Sequence, residues 1–290
     1  MNKIVKLNDG SEIEVGLTGN SNNKTIMLPI AKKTVIGQAA EMLKLWGVDP
    51  ELGIKFVEGL SDTFQVLFFD YEGHRMEHPN GDNLTPETIV KDFLLIANEM
   101  KVEKFGYYGY SWLALAGLQL AIRTNRLECL IMGGFPPIEG PYKEMMTVTN
   151  KTFEQALKNQ DHSEADHSEQ IHPEGIDWDN IQVQLHPEQT KQFVTMYKSL
   201  MNFHDKKIQD RLYFPRLTFA GEEDTIIYGE NFGNVSVDVV GLIKKNKREL
   251  EQLGWDVEIV EGVGMDHTKA MQPAAVLPLI KPWLSKNLLS

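Results

Sequence analysis

Short apolar runs alternate with longer segments of helical spacing along most of this chain, and this alternation constrains the fold more than any other feature. Residues 25–30 are apolar at nearly every position. Such runs are typical of strands that helices cover on both faces, as in parallel sheets. The repeated order of strand and helix therefore predicts an α/β fold with a mostly parallel sheet and helices on both faces.

A β-hairpin is predicted before this alternation begins. Two alternating runs, at residues 3–7 and 12–16, flank Asn8-Asp9-Gly10, which is a strong turn signal. The core strands are predicted at residues 25–30, 64–70, 105–108, 127–134, 216–220 and 256–260. Helices are predicted at residues 38–46, 50–60, 86–100, 112–124, 190–202, 235–253 and 273–288.

One long segment interrupts the alternation. Residues 136–213 contain no clear core strand, and we interpret them as a helical lid inserted into a core domain formed by residues 1–135 and 214–290. The lid includes a polar, histidine-rich stretch at residues 159–180. Its histidines and carboxylates could bind a divalent metal, but they lack the ligand spacing of a known site, so we favour a flexible acidic loop and predict no metal.

Charge and cysteine content limit the classes of partner. The formal net charge is −12, which argues against binding to nucleic acid or to an anionic membrane surface. The single cysteine, Cys129, lies in an apolar run and is interpreted as a buried strand thiol. The first residues contain no apolar segment of signal-peptide length, and the apolar stretch at residues 112–122 is too short to span a bilayer. We therefore expect a cytoplasmic protein whose partner is a small-molecule substrate.

The residues around Ser111 carry the strongest chemical signal. Ser111 lies between a predicted strand and a predicted helix, and Gly109 two residues earlier allows a tight turn. A serine on such a turn is lifted above the edge of the sheet, and the free N–H groups of the following helix favour an oxyanion beside it. The alternative is a serine that only caps the helix.

The sequence Gly109-Tyr110-Ser111-Trp112-Leu113 resembles the G-x-S-x-G motif of the α/β-hydrolase superfamily of serine hydrolases. It departs from that motif at Leu113, where a small residue normally lets helix and strand pack closely. The resemblance implies the α/β-hydrolase fold, and it implies that nucleophile, acid and histidine follow one another in that order along the chain.

The resemblance also assigns the acid and the histidine. Residues 221–224 read Gly-Glu-Glu-Asp after a late strand, and the Gly-x-x-Asp spacing of the family selects Asp224. Glu222 and Glu223 remain as alternative acids, although we favour their interpretation as solvated charges of the loop. His267 is the only histidine after the candidate acid, and it follows the last predicted strand. A serine hydroxyl needs such a base, and the base needs an acid that orients it.

An oxyanion hole needs two N–H donors. The first is expected from the backbone of Trp112, the residue after the nucleophile. The second is expected from the loop after the strand at residues 25–30. Many members of the family have a His-Gly pair there, whereas this chain has Leu28-Pro29-Ile30-Ala31. Because proline has no N–H, we select Ile30, with Ala31 as the alternative.

Two further features lie near the predicted site. The sequence Asp70-Tyr71-Glu72-Gly73-His74 resembles a turn that follows the fourth strand in many family members, and His74 is expected to stabilise it. Aromatic side chains at residues 107–112 flank the nucleophile. Those that face the cleft would form an apolar acyl or alcohol pocket, in which Glu72 would be a possible polar contact.

Together these residues predict a serine hydrolase, carboxylesterase-like, that cleaves a carboxylic ester or thioester of a small, uncharged or apolar substrate. Ser111, His267 and Asp224 form its catalytic triad, and this chemistry needs no cofactor. Two alternatives remain open: a non-catalytic ligand-binding protein on the same fold, and an acyltransferase or carbon–carbon bond hydrolase with the same triad. The sequence leaves the oligomeric state open, a homo-oligomer included.

Overall fold

The computed structural model describes residues 1–162 and 185–289, with the side chains of residues 161 and 162 excepted. The strands in this part of the chain are β1 (Asn2–Lys6), β2 (Glu12–Thr18), β3 (Thr25–Leu28), β4 (Gln65–Phe69), β5 (Phe105–Tyr110), β6 (Leu127–Gly133), β7 (Arg216–Gly221), β8 (Thr225–Ile227), β9 (Ser236–Asp238) and β10 (Trp255–Val260). The helices are α1 (Gln38–Leu45), α2 (Leu52–Ser61), α3 (Tyr71–Glu77), α4 (Pro86–Glu99), α5 (Trp112–Ala121), α6 (Tyr142–His162), α7 (Pro187–Ser199), α8 (Val239–Gln252) and α9 (Pro273–Leu288).

Eight strands form one sheet in the order β1-β2-β4-β3-β5-β6-β7-β10. The hairpin β1–β2 is antiparallel, and β2 joins the sheet by pairing antiparallel with β4. All the other pairings in this sheet are parallel. The predicted mostly parallel sheet with an antiparallel hairpin is therefore confirmed. Because the core strands are parallel, their carboxyl ends lie along one edge, where ligands bind in open α/β sheets.

The core lies on both faces of this sheet, as the apolar runs predict. On one face, α2 and α9 bury side chains such as Phe56 and Ile280 against β3, β5 and β6. On the other face, α4, α5 and α8 bury side chains such as Phe93, Leu118 and Ile243. Every residue of α5 is buried, which explains why its sequence is almost entirely apolar.

Several predicted bounds were wrong for local physical reasons. β3 ends at Leu28 rather than at residue 30, and the next residue, Pro29, cannot donate to a strand ladder. α8 begins at Val239 rather than at residue 235, because residues 236–238 pair with β8. The Asp238 side chain then caps α8 by accepting a hydrogen bond of 2.8 Å from the Gly241 N–H. β8 and β9 have three residues each, too short for a periodic pattern to predict.

The segment between β6 and β7 contains α6, α7 and a short 3-10 helix (Asp205–Arg211), and the structure describes no strand in residues 134–162 or 185–215. This agrees with an inserted helical lid, while its bounds at residues 136 and 213 stay a prediction. The histidine-rich residues 163–180 lie outside the described residues, and so does the prediction that they bind no metal. α7 is joined to α3 by a hydrogen bond of 3.0 Å that the Gln192 side-chain amide donates to the Arg75 carbonyl.

The turn of the N-terminal hairpin holds α3 in place. The guanidinium of Arg75, which is fully buried, donates to Asp9 at 2.5 Å and to the Ser11 hydroxyl at 3.0 Å. The same Ser11 hydroxyl lies 2.9 Å from His74 Nε2. At the start of α3, Asp70 accepts a hydrogen bond of 2.9 Å from the Gly73 N–H. His74 thus lies in a helix rather than in a turn, and its side chain joins that helix to the N-terminal hairpin.

We expect His74 to make the protein less stable as the pH falls from about 6.5 towards 4. Burial, together with the adjacent Arg75 charge, lowers the pKa of His74 to about 4. The unfolded chain therefore binds a proton that the folded chain refuses, so the free energy of unfolding decreases across that window. Between pH 7 and pH 5, the free energy of unfolding of wild type, measured with urea, should fall by about 2 kcal/mol more than that of His74→Gln. An equal decrease in the free energy of unfolding of wild type and His74→Gln would contradict this assignment. So would an equally reduced decrease in a control variant, His204→Gln.

Candidate active site

Ser111 lies at a strained turn between β5 and α5, as predicted. Its backbone has φ 54° and ψ −128°, a conformation that residues other than glycine rarely adopt. The Ser111 N–H donates a hydrogen bond of 2.8 Å to the Gly133 carbonyl at the end of β6, which extends the parallel pairing into the turn. The side chain makes no hydrogen bond within the described residues, which rules out a capping hydrogen bond to α5.

Two glycines allow helix α5 to approach β5 closely. A Cβ atom on Gly109 would lie 2.4 Å from the Leu113 carbonyl oxygen, so no other residue fits at that position. A Cβ atom on Gly117 would lie 2.5 Å from the ring of Tyr107. The Tyr107 hydroxyl donates 2.8 Å to the same Leu113 carbonyl. The close contact that the family motif places at the position of Leu113 thus occurs one helical turn later, at Gly117.

Asp224 and His267 form a direct pair. Their Oδ1 and Nδ1 atoms are 2.9 Å apart, and the Asp224 side chain is completely buried. This contact favours the tautomer in which Nδ1–H donates to the carboxylate and Nε2 is left as an acceptor. The second oxygen of Asp224 is buried without a hydrogen-bond partner among the described residues. The structure therefore joins two of the three predicted residues through the hydrogen bond that a triad requires.

The alternative acids have another task. Glu222 accepts a hydrogen bond of 2.7 Å from the Gly262 N–H, and Glu223 accepts one of 3.0 Å from the Gly264 N–H. Both carboxylates thus hold the backbone of the loop that carries His267, and neither is bonded to its imidazole. Sequence reasoning considered these residues only as alternative acids or as solvated charges of the loop. Their position next to Asp224 could have suggested that they join its loop to a neighbouring loop. The backbone N–H groups that they bind cannot be identified from the sequence.

Two residues fix the imidazole from other sides. The Tyr110 hydroxyl donates 2.8 Å to the His267 carbonyl, and the two ring centroids are 5.0 Å apart. Burial, with the nearby Asp224 carboxylate, raises the pKa of Tyr110 well above its usual value. A Cβ atom on Gly134 would lie 2.8 Å from His267 Cε1, so this glycine leaves room for the ring. Sequence reasoning missed Gly134, although the glycine pair at the end of β6 was visible.

Ser111 and His267 line one cavity of about 430 Å³ at the carboxyl edge of the sheet. The cavity is bordered by the loop after β3, by α1 and α2, by the start of α3 and by the turn at Ser111. Within the described residues no hydrogen bond joins the Ser111 hydroxyl to the imidazole. Such contacts are often long in unliganded active sites and shorten when substrate binds.

The two predicted oxyanion donors also line this cavity. Trp112 is the first residue of α5, so its N–H has no carbonyl partner within the helix. Ile30 lies in the loop after β3, and α2 holds that loop closely. A Cβ atom on Gly53 of α2 would lie 1.8 Å from the Ala31 carbonyl oxygen and 3.2 Å from the side chain of Ile30.

The cavity walls are mostly apolar, with a few charged groups. Three of these charges are in ion pairs: Lys33 pairs with Asp70 at 3.1 Å, and Asp49 pairs at 2.6 Å with Lys55, which lies outside the lining. Glu72 accepts a hydrogen bond of 3.0 Å from the Trp112 indole N–H. The surrounding protein raises the pKa of Glu72, the Asp70 charge adds to this effect, and the indole hydrogen bond opposes it.

The described residues offer no reactive cysteine, metal site or membrane-spanning helix. Cys129 is fully buried in β6, and burial raises the pKa of its thiol, so the predicted buried strand thiol is confirmed. In residues 1–160 and 185–289, no group of three or more His, Cys, Asp or Glu side chains is placed to hold a metal ion. None of the helices in the described part of the chain is long and apolar enough to cross a membrane.

Comparison with solved structures identifies the fold. A thermophilic esterase from Thermogutta terrifontis matches with a TM-score of 0.58 and 16% identity over 99% of both chains. A carboxylesterase structure from the Thaumarchaeon Nitrososphaera gargenis matches with a TM-score of 0.60 and 13% identity over 98% of both chains. The enol-lactonase from Burkholderia xenovorans matches with a TM-score of 0.57 and 17% identity over 99% of this chain and 100% of the lactonase.

No protein-family model matches the sequence, and no curated protein matches it either. At identities of 13–17% the solved structures establish the fold alone. Together with the strand order and the turn at Ser111, they show that this chain has the α/β-hydrolase fold, as the motif resemblance predicted.

We expect Tyr110→Phe to change the position of the His267 imidazole, whereas Tyr107→Phe, which loses a hydrogen bond of the same length, should leave the imidazole in place. Removal of the Tyr110 hydroxyl should lower the free energy of unfolding by about 1 kcal/mol, and Tyr107→Phe, which loses another hydroxyl-to-carbonyl bond of 2.8 Å, should cost a similar amount. NMR spectra of histidine-labelled protein should show shifted His267 imidazole signals in Tyr110→Phe and wild-type signals in Tyr107→Phe. Unshifted signals in Tyr110→Phe would show that Tyr110 does not position the imidazole.

Proposed function

We propose that this protein is a serine hydrolase, carboxylesterase-like, that cleaves a carboxylic ester or thioester through an acyl-enzyme. Ser111 is its nucleophile, His267 its general base and Asp224 the acid behind the base. The observation that supports this most is the hydrogen bond from His267 to the buried Asp224, beside a cavity that His267 and the strained Ser111 both line. A nucleophile, an oriented base and a bound acid at one cavity are the minimum set for acyl transfer.

The reaction uses one proton carrier. Ser111 Oγ attacks the substrate carbonyl carbon while its proton passes to His267 Nε2. The tetrahedral intermediate then collapses, the bond to the leaving oxygen or sulfur breaks, and the imidazolium returns its proton to the leaving alcohol or thiol. Water repeats the same steps on the acyl-enzyme and releases the acid and the free serine. Asp224 stabilises the imidazolium without taking its proton.

The negative oxygen of the intermediate would be held by the N–H groups of Trp112 and Ile30. Both residues border the cavity that Ser111 also lines. The strained backbone of Ser111 supports this arrangement, because such a turn places the serine at the N-terminus of α5, and Ser111 lines the cavity. A preorganised pair of donors of this kind contributes about 3 kcal/mol per donor to transition-state stabilisation in acyl transfer.

The apolar walls support a small, largely apolar substrate. The esterases and the lactonase that share this fold cleave bonds of the proposed type, as their names state. The alternative of a ligand-binding protein without catalysis is tested below, and competition with alcohol or amine acceptors during turnover would reveal an acyltransferase. The cytoplasmic location and the oligomeric state stay predictions.

A fluorophosphonate probe should label Ser111 covalently, because it traps a serine that a neighbouring base activates. Intact-mass spectrometry should show one phosphonyl group on wild type, peptide mapping should place it on Ser111, and Ser111→Ala should remain unlabelled. On short-chain p-nitrophenyl esters, Ser111→Ala and His267→Ala should each lower kcat/KM by about 10³-fold or more.

Ser285→Ala is the matched control, because Ser285 bonds to the Lys281 carbonyl in α9 and lies outside the cavity. It should be labelled like wild type. Folded wild-type protein that takes up no phosphonate and cleaves no ester or thioester of graded acyl length would exclude the hydrolase and favour a ligand-binding protein.

A further inference from the structure

Glu72 is the charged group of the cavity that the proposed chemistry does not use. It lies in the first turn of α3, and its side chain is accessible from the cavity. One carboxylate oxygen accepts the hydrogen bond from Trp112 Nε1 at 3.0 Å. Among the described residues, no other side-chain hydrogen bond and no ion pair involves Glu72.

The other charged groups of the lining already have partners of opposite sign. Lys33 lies against Asp70, and Asp49 lies against Lys55. Lys33 is largely exposed and its ammonium is directed to Asp70, which also caps α3. A substrate in this cavity therefore meets one negative group without a counter-ion, Glu72, and no cation in the same condition among the described lining residues.

The position of the Glu72 carboxylate is fixed through Trp112. The indole of Trp112 packs edge-on against Phe193 of α7, with ring centroids 5.4 Å apart, and it contacts the ring of Tyr71 at 6.2 Å. These contacts limit the motion of the indole, so its N–H holds one Glu72 oxygen in a constant place. The backbone N–H of the same Trp112 is the proposed oxyanion donor, and Glu72 lines the same cavity as Ser111.

We propose that Glu72 is the specificity-determining residue of this cavity and that it selects substrates that carry a protonated amine on an otherwise apolar body. The proposal rests on the proposed function, and it changes the predicted substrate from an uncharged ester to a cationic one.

The ion pair is favoured by its surroundings. Glu72 is exposed, lines the cavity and has no counter-ion among the described residues, so its carboxylate can meet a charged group of a bound substrate. An ammonium group on the substrate supplies the missing counter-ion through a charge-assisted hydrogen bond, which is stronger in a cavity than in water. An anionic substrate would meet Glu72 as a like charge and is therefore disfavoured.

Two esters of almost identical shape test the proposal: 2-(dimethylamino)ethyl butanoate, which is protonated at neutral pH, and 3-methylbutyl butanoate, which is neutral. Isothermal titration calorimetry on Ser111→Ala measures their binding without turnover. The cationic ester should bind more tightly, and adding Glu72→Gln should reduce this preference by about tenfold, since glutamine keeps an acceptor for the indole but loses the charge. Adding Glu77→Gln, which removes an exposed charge from the same helix, should leave the preference unchanged.

The proposal is overturned if folded Ser111→Ala protein binds the cationic ester no better than the neutral one, or if the preference survives Glu72→Gln. Hydrolysis by wild type is scored separately. Cleavage of the neutral ester with no dependence of binding on Glu72 would leave the hydrolase intact and remove only the amine selectivity. A binding preference that depends on Glu72, with neither ester cleaved, would keep the amine site and remove the hydrolase.

Discussion

The hydrogen bond between Asp224 and His267 depends on the parallel pairing of β7 with β10. Because the two strands run in the same direction, the loops that follow them emerge at the same edge of the sheet. Glu222 and Glu223 then tie the first loop to the backbone of the second. A Cβ atom on Gly221 would lie 2.0 Å from the Met265 carbonyl oxygen, so the loops approach as closely as glycine permits. The position of the imidazole follows from this contact between loops.

Ser111 reaches the same edge through a different constraint. The turn after β5 places an L residue at positive φ, and the cost of this conformation is offset by the burial of α5 and by the close contacts of Gly109 and Gly117. Packing of the core and geometry of the site are therefore coupled. A change that loosens α5 against β5 would also move the serine and the N–H of Trp112.

Much of this arrangement could be predicted from the sequence, because its signals are local. Continuous apolar runs indicated the buried strands, the Asn8-Asp9-Gly10 turn indicated the hairpin, and the order of Ser111, Asp224 and His267 followed a family pattern. The roles of these three side chains in catalysis remain a proposal. What the sequence could not predict depends on contacts between distant residues, such as Glu222 with Gly262, or on elements of three residues such as β8. α3 was missed because Arg75 and Asp9, which hold it, are far apart in the chain.

The central claim is that Ser111, His267 and Asp224 act on one reacting centre, with Trp112 and Ile30 as the oxyanion donors. A crystal structure of the protein after reaction with a small alkyl phosphonate tests it most directly. We expect phosphorus bonded to Ser111 Oγ, the phosphonyl oxygen within hydrogen-bonding distance of the N–H groups of Trp112 and Ile30, and His267 Nε2 beside Oγ with Nδ1 still on Asp224. Phosphorus on another side chain, or an imidazole turned away from Ser111, would contradict the account.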